Sequence, residues 1–223
     1  SLANLNQKNA NSDVDTDANR IDSYNELKYP TKLPGVWDWI NVAPSVGLRQ
    51  TYYSKSNTGS EHDLIRVIYY YGLEMNTKFY RIYETSGNYL GIELNRLRHV
   101  ITPSIKYSYI HTPTVSSGKL GSFDSIDDIS SENTFTFGIE NHLQTKWENR
   151  NKKNTFDNVD LVYFYPHVDY TQNAASGLRH FSFITSELNV RPYSWLHVDS
   201  DNVYDQHKRR FQSSNIDFSA LNK

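Results

Sequence analysis

Metal binding, acid–base catalysis and nucleophilic attack each need particular side chains gathered at particular spacings, and this chain offers few such groupings. Its eight histidines are spread singly, with no H-x-x-x-H and no H-E-x-x-H pair, and no cysteine is present to complete a zinc set or act as a nucleophile. Asp13, Asp15 and Asp17 alternate like the start of a calcium loop. Ala18 stands where the turn glycine belongs and Tyr24 where the bidentate glutamate belongs, so the stretch reads as a plain acidic loop. Asp127 and Asp128 adjoin in a serine-rich segment and read as solvated turn residues. No serine sits in a G-x-S-x-G elbow, and neither G-x-G-x-x-G nor a P-loop occurs. The residue types therefore point away from an enzyme, a metal centre or a cofactor site.

What remains is non-covalent chemistry by charge. Arg49, Arg66, Lys78, Arg98, Lys106 and Lys146, offset by Glu74 and Glu140, all fall on the polar side of segments that alternate with a period of two. Facing an interior, such a set suits the anionic groups of a passing amphiphile. It equally suits a ladder of cross-strand ion pairs that uses up its own charges.

The elements that carry these charges read as long strands. From Trp39 the even positions Ile40, Val42, Pro44, Val46, Leu48 and Tyr52 are apolar, and Asn41, Ser45, Gly47, Arg49 and Thr51 face the other way. The next segment sets Ile65, Val67, Tyr69, Tyr71, Leu73, Met75 and Phe79 against Arg66, Glu74, Asn76 and Lys78. A third opposes Ile101, Ile105, Tyr107 and Tyr109 to Arg98, Thr102, Ser104 and Lys106, and a fourth opposes Phe135, Phe137, Ile139 and Leu143 to Thr134, Thr136, Glu140, His142 and Gln144. Weaker alternation continues beyond Asn158, giving roughly eight or nine strands. Turns are expected at TSGN (85–88) and NAASG (173–177), and a long polar connector at 112–132. Connectors this short hold no crossover helices, so the expected fold is an all-β antiparallel meander. Residues 1–20 read as a polar leader or loop and 21–223 as one barrel-domain fragment. Pro44, Pro103 and Pro166 recur in similar strand contexts, either as ladder defects or as strand starts.

Composition sets the medium. The 223 residues carry a net charge of −2, which speaks against nucleic acid, and 14% of them are aromatic, which favours strands. No apolar run approaches the roughly 18–20 residues of a membrane-spanning helix. Segments alternating for well over the ~9–11 residues of a tilted transmembrane strand, apolar on one side and charged on the other, fit a large outer-membrane β-barrel. A soluble sandwich gives the same alternation with its apolar face turned inward.

At Arg98, His99, Ile101, Pro103, Tyr107 and Tyr109 the segment RHVITPSIKYSY resembles a hallmark of the LPS-assembly protein LptD family, also called organic-solvent-tolerance proteins. PSVGLRQTYY before it, and FDSIDDIS with NTFTFGIENHL and then VRPYSWLHVDSDNVYD after it, resemble further pieces of that family in the family's order. The resemblance implies a middle part of a transmembrane barrel in the outer membrane of a Gram-negative bacterium, delivering lipopolysaccharide to the outer leaflet without covalent chemistry. It further implies an LptE-like plug lipoprotein, a periplasmic LPS bridge and outer-membrane lipid as partners. The disulfide-forming cysteines of some family members have no counterpart here. Two other readings stay open on the sequence: a self-contained small outer-membrane barrel acting as pore or adhesin, and a soluble all-β carbohydrate-binding module.

Overall fold

Backbone amides that cannot reach water must pair along a ladder, and here the described strands do so in one antiparallel sheet. The computed structural model describes residues 2–7, 16–120, 123–148, 155–172 and 179–221. Its strands are β1 (Leu2–Gln7), β2 (Thr16–Lys28), β3 (Thr31–Lys32), β4 (Asn41–Lys55), β5 (His62–Asn76), β6 (Phe79–Tyr89), β7 (Ile92–Ile110), β8 (Glu132–Glu148), β9 (Phe156–Thr171), β10 (Ile184–Tyr193), β11 (Leu196–Asp205) and β12 (Arg210–Ala220). They pair in the order β1-β2-β4-β5-β7-β8-β9-β10-β11-β12, with β3 on β4 and β6 on β7. The all-β meander expected from the alternation is thus present. Among the described residues, no helix is long and apolar enough to cross a membrane.

Three differences from the sequence pattern have physical causes. The opening stretch, expected as a solvated leader, carries β1 and the start of β2, paired from Leu2 opposite Ile21 to Gln7 opposite Thr16; a hairpin held by backbone hydrogen bonds needs no apolar period to form. Asp13 and Asp15 lie outside the described residues, as does the NAASG turn. The expected turn at TSGN is strand. The β6–β7 turn falls instead at Leu90 and Gly91, whose φ values of 55° and 83° both lie in the left-handed region that a tight hairpin requires.

The third difference concerns prolines. Pro44 accepts a hydrogen bond from the Tyr29 amide at 3.0 Å but has no N–H to return, and the neighbouring strand is interrupted there, between β2 and β3. Pro103 accepts from the Thr77 amide at 3.3 Å, and the chain facing it is interrupted between β5 and β6. Register does not slip across that gap, because Phe79 stands opposite Ile101. Both prolines are therefore ladder defects within strands. Pro166 pairs with Ser186 inside an unbroken run.

The chain divides into two compact units, the first being Ser1–Thr31, Val42–Glu74 and Tyr107–Thr134, the second Lys32–Asn41, Met75–Lys106 and Phe135–Lys223. In the first, burial is inverted relative to a water-soluble sheet. Arg20, Asp22, Thr51, Tyr53, Arg66 and Ile68 are buried on one face, whereas Ile21, Leu27, Val46, Ile65, Tyr69 and Tyr71 are exposed on the other. In the second, Ile105 and Ile139 are each 46% exposed and Phe137, Phe164, Ile216 and Phe218 are exposed too, while Thr102, Thr145 and Ser200 are buried. Tyr165 lies across Gly138 on the polar side, where a Cβ would come within 2.8 Å of the Tyr165 Oη.

Candidate functional site

The polar face of the first unit is built by register. β2 and β4 pair so that Arg20, Asp22 and Tyr24 stand opposite Tyr53, Thr51 and Arg49. Thr51 donates its hydroxyl to Asp22 at 2.7 Å, Arg49 Nε lies 3.5 Å from the same carboxylate, and the Arg49 guanidinium rests 5.0 Å above the Tyr24 ring. From β5, Arg66 reaches up with no solvent exposure at all. What it meets is backbone from the β7–β8 connector. Its Nε donates to the Val115 carbonyl at 3.0 Å, Nη1 to those of Ile126 at 2.8 Å and Asp127 at 3.2 Å, and Nη2 to that of Ile129. The carbonyl oxygens supply partial negative charge along the planar fork that a guanidinium presents.

The same connector brings carboxylates to the wall. Arg20 donates to both oxygens of Asp124 and, at 2.9 Å, to Asp127. Asp127, 1% exposed, also accepts from the Tyr53 hydroxyl and from the amides of Phe123 at 3.1 Å and Asp124 at 3.3 Å. Leu120 is buried against Tyr53 with Leu64, Val115 and Phe123 around it. Far from being a solvated turn, the Asp127 segment is therefore packed on the polar face. The expectation failed because local composition says nothing about a cationic surface waiting elsewhere in the chain.

In the second unit the polar face stays open. Tyr80, Ile82, Arg96, Arg98, Gln144, Thr145, Lys146 and Asn158 line a cleft of about 380 Å³. The Arg98 guanidinium sits 5.1 Å above the Tyr80 ring, within cation–π range. Arg96, at φ 59°, occupies an irregularity where the register shifts between Tyr83 and Ser86, and it binds Glu84 by two hydrogen bonds of 2.8 and 3.0 Å. With Arg96 paired to Glu84, the cations Arg98 and Lys146, one aromatic face and two amides can together take an anionic, sugar-bearing group by charge-assisted hydrogen bonds and stacking. Among the described residues, no group of three or more metal-ligating side chains occurs.

The family model for LptD, LPS transport system D, matches residues 2–223. The chain belongs to the LptD family. No curated protein matches it. Membership assigns this LptD-family chain to LPS transport and outer-membrane assembly, with LPS as the substrate of a transport rather than an enzyme family.

Within this LptD-family fold the eight charges expected on one polar face divide between the two units. Arg49, Arg66 and Glu74 belong to the first unit, where Glu74 accepts from Lys28 at 2.8 Å. Lys78, Arg98, Lys106, Glu140 and Lys146 belong to the second. Lys78 is exposed in the break between β5 and β6, Lys106 is exposed on β7, and Glu140 lies 3.9 Å from His142. Only Arg98 and Lys146 share the cleft. Of the family-like motif, Arg98 lines the cleft, His99 opens on a different pocket with Tyr83 and Asn141, Pro103 makes the ladder defect, and Tyr109 packs on Tyr71 with ring centres 6.0 Å apart. Tyr107 lies on the same strand. Sequence reasoning missed Arg96, Arg20, Tyr53, Asp124 and the role of Asp127. For Arg96 the signal was its two-residue spacing from Arg98; for the rest it was three acids in one connector facing a cation-bearing sheet.

Proposed function

We propose that this chain is part of the wall of a transmembrane barrel in the outer membrane of a Gram-negative bacterium and that lipopolysaccharide moves along it to the outer leaflet. The apolar face meets membrane lipid and acyl chains, and the polar face meets the hydrated sugar–phosphate head. The observation that carries this is the inverted burial: arginine, aspartate and threonine are enclosed while isoleucine, leucine and phenylalanine are bare. An aqueous protein would lose roughly 25 cal/mol for every Å² of apolar surface so exposed. Against hydrocarbon the sign reverses, and a charge placed there costs about 2–4 kcal/mol.

On this reading the Arg96, Arg98 and Lys146 cleft contacts phosphate or acidic sugar groups in transit, with no bond made or broken. An LptE-like plug lipoprotein and a periplasmic LPS bridge are the partners that the family resemblance implies. A photo-crosslinking residue at Gln144, in the whole protein in living cells, tests it. The expected adduct contains LPS, and Arg98→Glu with Lys146→Glu lowers its yield at least about a hundredfold, since two charge-assisted hydrogen bonds of ~1.5–3 kcal/mol each are lost. A Gln144 probe that captures no LPS while transport proceeds removes the cleft from the path.

A further inference from the structure

We propose that the β7–β8 connector, residues 111–120 and 123–131, is a strap that seals the polar wall formed by β2, β4 and β5, and that Arg66 and Asp127 are its latch. A polar connector between long strands has every opportunity to stay in water. This one instead buries an arginine, an aspartate and a leucine against the sheet. Two observations show that the contact is constructed and not incidental. Arg66 commits its Nε and both terminal nitrogens to four connector carbonyls, which converge on it from Val115 and from Ile126–Ile129. Asp127 gathers Arg20, Tyr53 and two amides of its own segment on one carboxylate.

Seating the strap also balances charge. Arg20 and Arg66 lie on the wall, and Asp124 and Asp127 arrive with the strap, so its release leaves both cations and both carboxylates to be hydrated separately. At the rim it is fastened by the Asn57 side chain donating to the Gly118 carbonyl at 2.8 Å, the Asn57 amide donating to Lys119 at 3.0 Å, and Lys119 bound to Glu61 at 3.0 Å. A substrate head cannot touch Arg66, Thr51 or Tyr53 while the strap is down. The wall it covers is thereby closed to polar solutes, whereas the Arg96 and Arg98 cleft is not.

This stretch has no cysteine of its own, so a thiol placed in it gives a direct test, read against the labelling of the parent protein as background. Leu120→Cys places a thiol on the underside of the strap and Gly118→Cys places one on its exposed rim. Both are introduced into the whole protein in native outer membranes and labelled with a bulky maleimide, folding being checked by heat-modifiable migration. The Leu120→Cys thiol is expected to react slowly, and at least about tenfold faster when combined with Arg66→Gln or Asp127→Asn; Gly118→Cys reacts quickly in every background. If Arg66→Gln does not fold, Tyr53→Phe, which removes one hydroxyl from the latch, is expected to speed labelling several-fold. Rapid labelling of Leu120→Cys with the latch intact, or rates unmoved by Asp127→Asn and Tyr53→Phe, would overturn the strap. Since the readout involves no LPS, its failure is separable from failure of the transport reading.

Discussion

Asp124 shows how a single carboxylate is held by its neighbours. The Arg20 guanidinium bonded to it is the main reason its carboxyl lies below the ordinary aspartate range, and the Ile126 and Asp127 amides act in the same direction against partial burial. A folded-state value depressed below the unfolded one means stability that is present above the unfolded value and lost as pH falls through the folded one. The window therefore opens below about pH 4. Expressed relative to Gly118→Cys at the same pH, which removes the loss of thiolate in acid, labelling of Leu120→Cys should stay slow and flat from pH 7 to about 5 and accelerate below about 4, while Asp124→Asn should start faster and lose much of that dependence. A rate that climbs between pH 7 and 5 in the native background would mean that another group controls release. Asp127, Arg20 and Tyr53 share the same knot of hydrogen bonds, so they are the groups to vary next.

Strands obey simpler bookkeeping, because each ladder position either returns a hydrogen bond or does not. Thr77 donates to the Pro103 carbonyl, which makes this a hydrogen-bonded pair lacking only its second bond. Pro103→Ala supplies the missing N–H opposite the Thr77 carbonyl. Hydrogen exchange should then report a newly protected amide at position 103 and roughly fivefold slower exchange at Thr77, for a net gain of about 1 kcal/mol. No added protection would mean that the break between β5 and β6 has another cause, such as the Thr77 hydroxyl donating to the Trp39 carbonyl at 2.8 Å. The alternation of Ile65, Tyr69 and Tyr71 against Arg66, or of Phe137 and Ile139 against Thr136, was readable because one face meets a different medium from the other. The β1–β2 hairpin was not, since backbone pairing needs no apolar period. Nor was the strap: its partners Arg20, Tyr53 and Arg66 lie 60 to 107 positions from the residues of FDSIDDIS that they bind, and no local property of FDSIDDIS encodes them. The cleft was half readable, through Arg98 and Lys146 on the polar side, whereas Arg96 reaches it through a backbone irregularity.

At the scale of the whole chain, averages conceal the very property that matters. A net charge of −2 and a mean hydropathy of −0.69 describe an ordinary polar protein. Alternation cancels in any average, because each strand contributes nearly as many polar residues to one face as apolar residues to the other. The discriminating quantity is instead which face a quencher dissolved in lipid can reach. In the whole protein reconstituted into vesicles of lipid brominated along its acyl chains, the added fluorescence of Ile139→Trp should be strongly quenched, as its parent residue is bare on the apolar face. Gln144→Trp, five positions along the same strand and lining the polar cleft, should be quenched little and should respond instead to aqueous iodide. The native tryptophans of the parent protein, four of them in this stretch, supply a constant background that subtraction removes. Equal quenching of the two variants by brominated lipid would mean that hydrocarbon does not meet the apolar face selectively, and the polar face could not then be the hydrated side along which a sugar head travels.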